Sequence, residues 1–388
     1  MASHSRFTDE IWCTPAPGAS KIPVRTVDEL RDQIFVGKQH EEFKPCLFTA
    51  EEMNSKELYD KYPPSFRDKN KQFIFKYINE IKRYSPSADR SLLVTRWRPF
   101  MPDVLPNSLS INSTKITFQP NVFNYSTCGD DHTVEWYLNF ANHDLFAYYS
   151  GPLLAQDELQ VLECIELAAL REYFVQTINT VGSSTVGSDK NTRKTVPTPI
   201  LISNTERVIR MDTNKVYGNA FAKASERQLV QACEYLDKAQ TVNLIAIEAP
   251  SHGHGVYTRD QIDYILVTCY VGFKAAQILA HKTHALNISN KTISSREASK
   301  KFRTIIHTGW WGCGAYGNNR QMMILTQILA AYWAEIDELI FHTQSNDYQR
   351  DINAARTIAE SMLKERNIDH VIDQILKLNL QWDRSNDT

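Results

Sequence analysis

No CxxC pair occurs in this sequence, and its seven cysteines are odd in number and widely spaced. That pattern excludes a disulfide framework and a spaced zinc site, and reads as free or buried thiols in a reducing compartment. Excess charge of either sign is also missing: 43 Lys and Arg stand against 45 Asp and Glu, a formal net charge of −2, with the signs alternating along the chain. Direct nucleic-acid binding, which needs clustered cations to neutralise phosphates, is therefore not expected. No stretch approaches eighteen uncharged apolar residues, and the start Met1-Ala2-Ser3-His4-Ser5 has no apolar signal-like core. These absences predict no membrane association and an intracellular protein, cytoplasmic or nuclear. No internal repeat is evident.

What is present is enough apolar material, 42% of 388 residues, to bury a full core, in a chain long for one compact domain. The pattern changes near residue 125. Before it, helical periods run over 26–35, 50–62 and 70–84, followed by an irregular, proline-punctuated connection over 98–120. After it, strand and helix alternate: strands at 133–140, 199–203, 241–249, 303–307 and 339–342, helices at 157–174, 260–281, 319–336 and 350–364. The stretch 177–199, rich in Ser, Thr and Gly with two prolines, reads as a mobile loop. The expected organisation is a helical N-terminal accessory region, 1–125, and an α/β catalytic domain, 126–388.

Between a β-branched stretch and a helical one lies Thr308-Gly309-Trp310-Trp311-Gly312-Cys313-Gly314-Ala315-Tyr316-Gly317. Strand, glycine loop and helix N-terminus together present open N–H groups and a positive dipole end to an anion. The loop is neither a GxGxxG with a downstream ribose carboxylate nor a GxxxxGK[ST] lysine loop. Ordinary turn chemistry is the bland alternative. Trp310 and Trp311 favour a ligand site, since rigid aromatic walls beside an open backbone suit a flat, charged molecule.

A second constellation is Asn139-Phe140-Ala141-Asn142, then thirteen residues, then Gln156-Asp157-Glu158 opening a helix. Polar groups leave a strand end and carboxylates start the next helix, so both line one rim of a sheet, where open α/β sheets bind ligands. The alternative is that the two carboxylates only complement the helix dipole.

Together these motifs resemble the poly(ADP-ribose) glycohydrolase family, in which a D-F-A-N strand end, a loop with three glycines, a Q-E-E triplet and a T-G-x-W-G-C-G-A-F-G-G-D loop follow in this order. The resemblance extends to Gln327-Ile328-Leu329-Ala330-Ala331 and Arg350-Asp351-Ile352, and more loosely to Asn204-Thr205-Glu206 and 245–249, covering about residues 130 to 375. It implies a macrodomain-like mixed sheet flanked by helices. By position it implies Glu158 as the catalytic acid/base, Asp157 as the carboxylate beside it and Gln156 as the triplet's leading amide. It further implies substrate-binding roles for Asn139, Asn142, Thr308, Gly309, Gly312, Cys313, Gly314, Ala315, Tyr316 and Gly317, with Asn142 on the distal ribose and 312–317 on the diphosphate. Cleaving the C1″ bond of an ADP-ribosyl group needs a proton for the leaving atom and an activated water, and one carboxyl group can serve both steps in turn. Adjacent helix positions point roughly 100° apart, so a facing pair of glycosidase carboxylates is not expected.

Several positions depart from the family pattern. Phe146-Ala147-Tyr148 replaces the three glycines, Asp157 a glutamate, Asn139 an aspartate, and Asn318-Asn319 a Gly-Asp pair. Atypical relatives remove single ADP-ribose units from arginine, and the shorter Asp157 suits a guanidinium leaving group. The expected function is therefore an ADP-ribosylhydrolase acting on mono-ADP-ribosyl-arginine. Cleavage of ribose–ribose polymer links and a non-catalytic ADP-ribose reader are the alternatives. The expected partners are an ADP-ribosylated protein and the product ADP-ribose; no metal or other cofactor is implied. His252-Gly253-His254 is a weak metal candidate, with Asp144 a second weak opening for an ion. Tyr217 and Phe221 are loose candidates for stacking on adenine, His342 reads as a satisfied polar group, and Met322, Met323 and Trp333 as core.

Overall fold

Short β-branched and aromatic runs form eleven strands in the computed structural model, whose described residues are 22–35, 40–106, 114–120, 125, 132–289, 302–343 and 349–385, with backbone alone for 283–289. They are β1 Val24–Thr26, β2 Leu47–Asn54, β3 Ser91–Trp97, β4 Lys115–Gln119, β5 Thr133–Phe140, β6 Val186–Ser188, β7 Thr195–Pro197, β8 Ile200–Met211, β9 Cys233–Ile247, β10 Arg303–Thr308 and β11 Glu338–His342. Nine of them make one sheet in the order β1-β2-β3-β8-β9-β5-β10-β11-β4. The first five strands in that order pair antiparallel, and from β9 to β4 every pairing is parallel. The result is the expected mixed sheet flanked by helices.

Period-two alternation divides the core between the faces. In β5, Trp136 and Leu138 join the cluster built on the helices Arg259–Ser289 and Arg320–Trp333, while Tyr137 joins the cluster on the helices Gln156–Glu163 and Glu166–Gln176. Helix Arg259–Ser289 lies close to the sheet because Gly272 has no side chain; a Cβ there would stand 3.1 Å from the Ile245 Cγ2 methyl. The stretch Arg259–Lys282, of mean hydropathy 1.3, is long and apolar enough to cross a membrane, but 89% of its most apolar window is buried inside the protein. Its hydropathy is that of a core helix. All five described cysteines are free, and Cys13 and Cys128 lie outside the described residues.

The N-terminal region departs from the helical expectation. Its helices Val27–Ile34, Ser55–Lys61 and Lys69–Lys76 are present, but the region also contributes β1, β2, β3 and β4 to the same sheet, on both edges. The period over 50–62 misled because both faces of β2 are covered: Ala50 is buried in one core cluster and Met53, on the opposite face, in the other, a helix-like spacing of three that runs on into the helix Ser55–Lys61. Likewise β4, in the connection read as irregular, pairs Ile116 with Leu339 and Phe118 with Phe341. The single helix expected over 157–174 is two, broken between Glu163 and Glu166.

The stretch 177–199 folds into the β6–β7 hairpin around a buried side chain from β3. The Arg96 guanidinium donates to Val181 O at 3.2 Å, Val186 O at 2.9 Å and Thr198 Oγ1 at 2.9 Å. A buried cation needs such acceptors, and composition does not show which distant residue they serve.

Because β3 covers the edge of β8 and β4 that of β11, residues 126–388 alone would expose two unpaired edges. That fragment is expected to be insoluble or to unfold without a cooperative transition, checked by solubility and thermal melting beside the full chain. A soluble fragment with one sharp transition would show that the sheet closes without its N-terminal strands.

Candidate active site

Parallel strands expose their last backbone groups together, and here Phe140, Ala249, Gly309 and His342, at or just beyond the ends of β5, β9, β10 and β11, line one cavity of about 360 Å³. Along β5 the pairing with β10 ends at Tyr137 and His307. Beyond that point the Gln156 side chain takes the place of a neighbouring strand: its Oε1 accepts from Phe140 N at 2.8 Å and its Nε2 donates to Leu138 O at 2.9 Å. This seats the first turn of helix Gln156–Glu163 on the strand end. Asn139, fully buried below, donates to Asp157 Oδ1 and to Gln160 Oε1, both at 2.9 Å.

Asp157 and Glu158 both line the cavity at 7% and 5% exposure, low enough that desolvation dominates their chemistry. Burial, and then the charge of Glu158, raises the Asp157 carboxyl above its ordinary range, against the hydrogen bond from Asn139 and the charges of Lys71 and Arg171. Burial raises Glu158 as well, against its backbone hydrogen bonds and Lys71. Glu158 commits Oε2 to Ala155 N at 3.1 Å, as the reciprocal half of a helix cap. Two carboxyl groups in one desolvated site do not both ionise readily, so one is held protonated more easily than in water, the condition for a general acid.

The segment between strand and helix keeps a backbone that glycine would adopt. Phe146 has φ 59°, in the left-handed region, and its ring is fully buried. Such a conformation costs a bulky residue about 1–3 kcal/mol, and burying a phenyl ring contributes about as much, so the ring offsets the strain. Asp144 is held by both Arg171 guanidinium nitrogens and by Ser183 Oγ, which ties the segment to the 183–185 strip. Asn142 accepts from Asp144 N at 3.1 Å and donates to Tyr316 OH at 3.2 Å, joining the two loops that face each other across the cavity. Tyr148 lines the rim and is 58% exposed, so its ring is available to a ligand.

In the glycine loop the left-handed positions are Gly312 and Gly317, both at φ 71°. A Cβ on Gly312 would lie 2.4 Å from Ala249 Cβ and 2.8 Å from Asn318 Nδ2. Asn318 is fully buried and donates to Pro250 O and Gly312 O, and Asn319 caps the helix by accepting from Met322 N at 3.2 Å. Trp311 is an anchor more than a wall: it is fully buried and donates to Ile247 O at 3.0 Å. Trp310 meets the ligand space, with the Arg320 guanidinium 5.4 Å over its ring. Behind the loop the C-terminal strip closes the structure. Trp382 packs over Gly253 and stacks on Tyr257 at 4.7 Å, and Asp383 N donates to Gly317 O at 3.0 Å.

Ten of the residues expected at the site line the cavity together: Asn142, Gln156, Asp157, Glu158, Gly309, Gly312, Cys313, Gly314, Ala315 and Tyr316. Asn139, Thr308 and Gly317 do not. Asn139 lies under Asp157, Thr308 is fully buried and donates to Gln327, and Gly317 is packed against 383–385. They support the site and do not line it. Of the adenine candidates, Tyr217 lines the cavity and Phe221 is core. His342 lines the cavity with His307 2.9 Å behind it, and His252 is bound through its backbone to Tyr316 O. Sequence reasoning missed Arg320, which lines the cavity, and Lys71, which lies behind it; no motif marks them, and only folding brings them here.

A family model for poly(ADP-ribose) glycohydrolase (PARG), macro domain fold, matches residues 198–351. Among solved structures the chain is similar to the Thermomonospora curvata poly(ADP-ribose) glycohydrolase bound to the inhibitor ADP-HPD, at 14% identity over 74% of this chain and 98% of that one, with a TM-score of 0.34. It is also similar to the Deinococcus radiodurans enzyme in complex with ADP-ribose, at 14% identity over 63% of this chain and 84% of that one, with a TM-score of 0.32. Residues 198–351 are thus similar to the catalytic domain of poly(ADP-ribose) glycohydrolases, a macro domain fold.

Proposed function

We propose that the protein hydrolyses the C1″ glycosidic bond joining ADP-ribose to a protein side chain, with mono-ADP-ribosyl-arginine preferred to polymer. One observation carries the reading: two desolvated carboxyl groups on the first turn of a helix share a cavity with a glycine loop whose backbone a diphosphate can approach. In this reading the loop 312–316 binds the diphosphate, Asn142 and Tyr316 hold the distal ribose, and Tyr217 and Trp310 offer aromatic faces to the adenosine end.

Glu158 begins as the acid. Its proton passes to the departing atom as the C1″ bond breaks and positive charge develops on the ribose. The carboxylate left behind takes a proton from water as that water bonds to C1″, releasing ADP-ribose and the unmodified side chain. Asp157, adjacent but held from below by Asn139, orients a ribose hydroxyl or the guanidinium that leaves. The preference for arginine is supported by this short, buried carboxylate and by the filled Phe146-Ala147-Tyr148 turn. Phe146 points its ring into the core, so the ligand side of that turn is Tyr148, whose ring leaves less room for a further ribose.

Glu158→Gln is expected to lower kcat by roughly 10²–10⁴-fold, with ADP-ribose affinity within several-fold, measured by product release and calorimetry. Near-normal turnover would remove Glu158 from the mechanism. Gly312→Val meets both the φ 71° backbone and the 2.4 Å approach to Ala249, and is expected to abolish ADP-ribose binding in a protein that still folds. Unchanged calorimetric affinity would place the diphosphate elsewhere.

The linkage is tested by released ADP-ribose from arginine-, serine- and glutamate-linked substrates and from polymer, with and without chelator. Arginine-linked substrate is expected to be cleaved fastest. Activity is expected to survive chelation, because Asp144 is already engaged by Arg171 and Ser183. Faster polymer cleavage would assign the protein to chain degradation, and binding without turnover on any substrate would make it a reader.

A further inference from the structure

A lysine from the N-terminal region reaches the back of the catalytic helix. Lys71, on helix Lys69–Lys76, has no exposed surface, and its Nζ donates to Tyr149 O and Leu153 O, each at 2.7 Å. Those carbonyls bracket the turn that delivers Ala155, the residue capping Gln156–Glu163. The same turn is fastened to residues 65–68: Arg67 N and Asp68 N both donate to Ser150 O, and Ser65 N donates to Tyr149 OH at 2.9 Å. The turn ahead of the catalytic carboxylates is thus held by a segment 78 to 84 residues upstream.

We propose that Lys71 is a positioning residue for the Asp157–Glu158 pair: its ammonium pins the turn that sets the helix start, and its buried charge balances the two carboxylates from behind. The role rests on the hydrolase reading above and adds a residue that no motif supplies. An alkyl side chain would fill the same space without serving either carbonyl, and the choice of a cation there has an electrical consequence. Burial pushes the Lys71 ammonium down to about 8, against the charges of Glu158, Asp68 and Asp157, so it is charged at neutral pH and acts on both carboxylates through its field, without a direct ion pair to either. Arg171 adds to the field at Asp157, while Tyr217 and Tyr316 line the same cavity as the pair. Glu226 and Arg227, on the helix packed against that of Lys71, are exposed to solvent.

The sign follows. Removing the cation makes each carboxylate harder to form, so the acid form persists to higher pH. The test is a ¹³C-carboxyl NMR titration of the full chain labelled at Asp and Glu, with the pair assigned from Asp157→Asn and Glu158→Gln. Lys71→Met is expected to raise the titration midpoint of the pair by about one pH unit, tenfold in the ionisation constant, and Lys71→Arg to leave it near wild type. The alkaline limb of the kcat profile moves up with it, and KM changes less than kcat. An unmoved midpoint in folded Lys71→Met overturns the proposal. Should that variant not fold, the reciprocal measurement decides: the ammonium titration of Lys71 falls in Glu158→Gln if the groups are coupled and stays put if they are not. A wild-type protein without turnover would sink the hydrolase reading, while the titrations still decide the role of Lys71.

Discussion

The site depends on how strand β5 ends. A strand inside a parallel sheet must pair its backbone on both sides, yet β10 parts from β5 at Tyr137 to make the glycine loop. The orphaned Leu138 carbonyl and Phe140 amide would each cost about 1–3 kcal/mol if left unpaired. Gln156 satisfies both with one primary amide, a donor and an acceptor at the spacing of a neighbouring strand. The next two residues are thereby carried onto the rim of the sheet, so the rung that completes the ladder also places the carboxylates.

Each loop around the cavity is held in the same manner, by residues remote in the chain. Residues 65–71 hold the turn before the helix, Arg171 and Ser183 hold Asp144, and Ala249, Pro250 and the C-terminal strip hold the glycine loop. A site that must meet a diphosphate and a ribose at hydrogen-bond distance needs this rigidity, since loops fixed only at their own ends leave reacting groups misplaced. The N-terminal region accordingly acts within the catalytic architecture, through two sheet edges and one buried lysine.

The departures from the family pattern have local physical accounts. Phe146 keeps the left-handed backbone of a glycine turn and offsets the strain by burying its ring. Asn139 gives Asp157 a neutral donor from below, where a second carboxylate would have added a third like charge to a desolvated cluster. Asn318 and Asn319 bridge the glycine loop and cap the following helix. These substitutions preserve the scaffold while changing shape on the side where Tyr148 stands exposed.

Local chemistry made some of this legible from the amino acids alone. Glycine between a β-branched run and a helix, and two carboxylates opening a helix after a polar strand end, identify a cavity rim because backbone freedom and helix capping are local properties. Most strands and long helices after residue 125 were equally readable from their periods, though not the break after Glu163 or the direction of the strands. Tertiary contact decided the rest. Whether residues 47–54 are strand or helix depended on finding β1 and β3, and the order of 177–199 on Arg96 arriving from another strand. Thr308 and Asn139 sit in the right motifs yet face the core, since a strand residue's face is settled by the layer packed against it. Lys71 is a solvated helix lysine by every sequence criterion. Only the fold buries it against two carbonyls, because desolvation and charge balance are properties of what surrounds a residue in space.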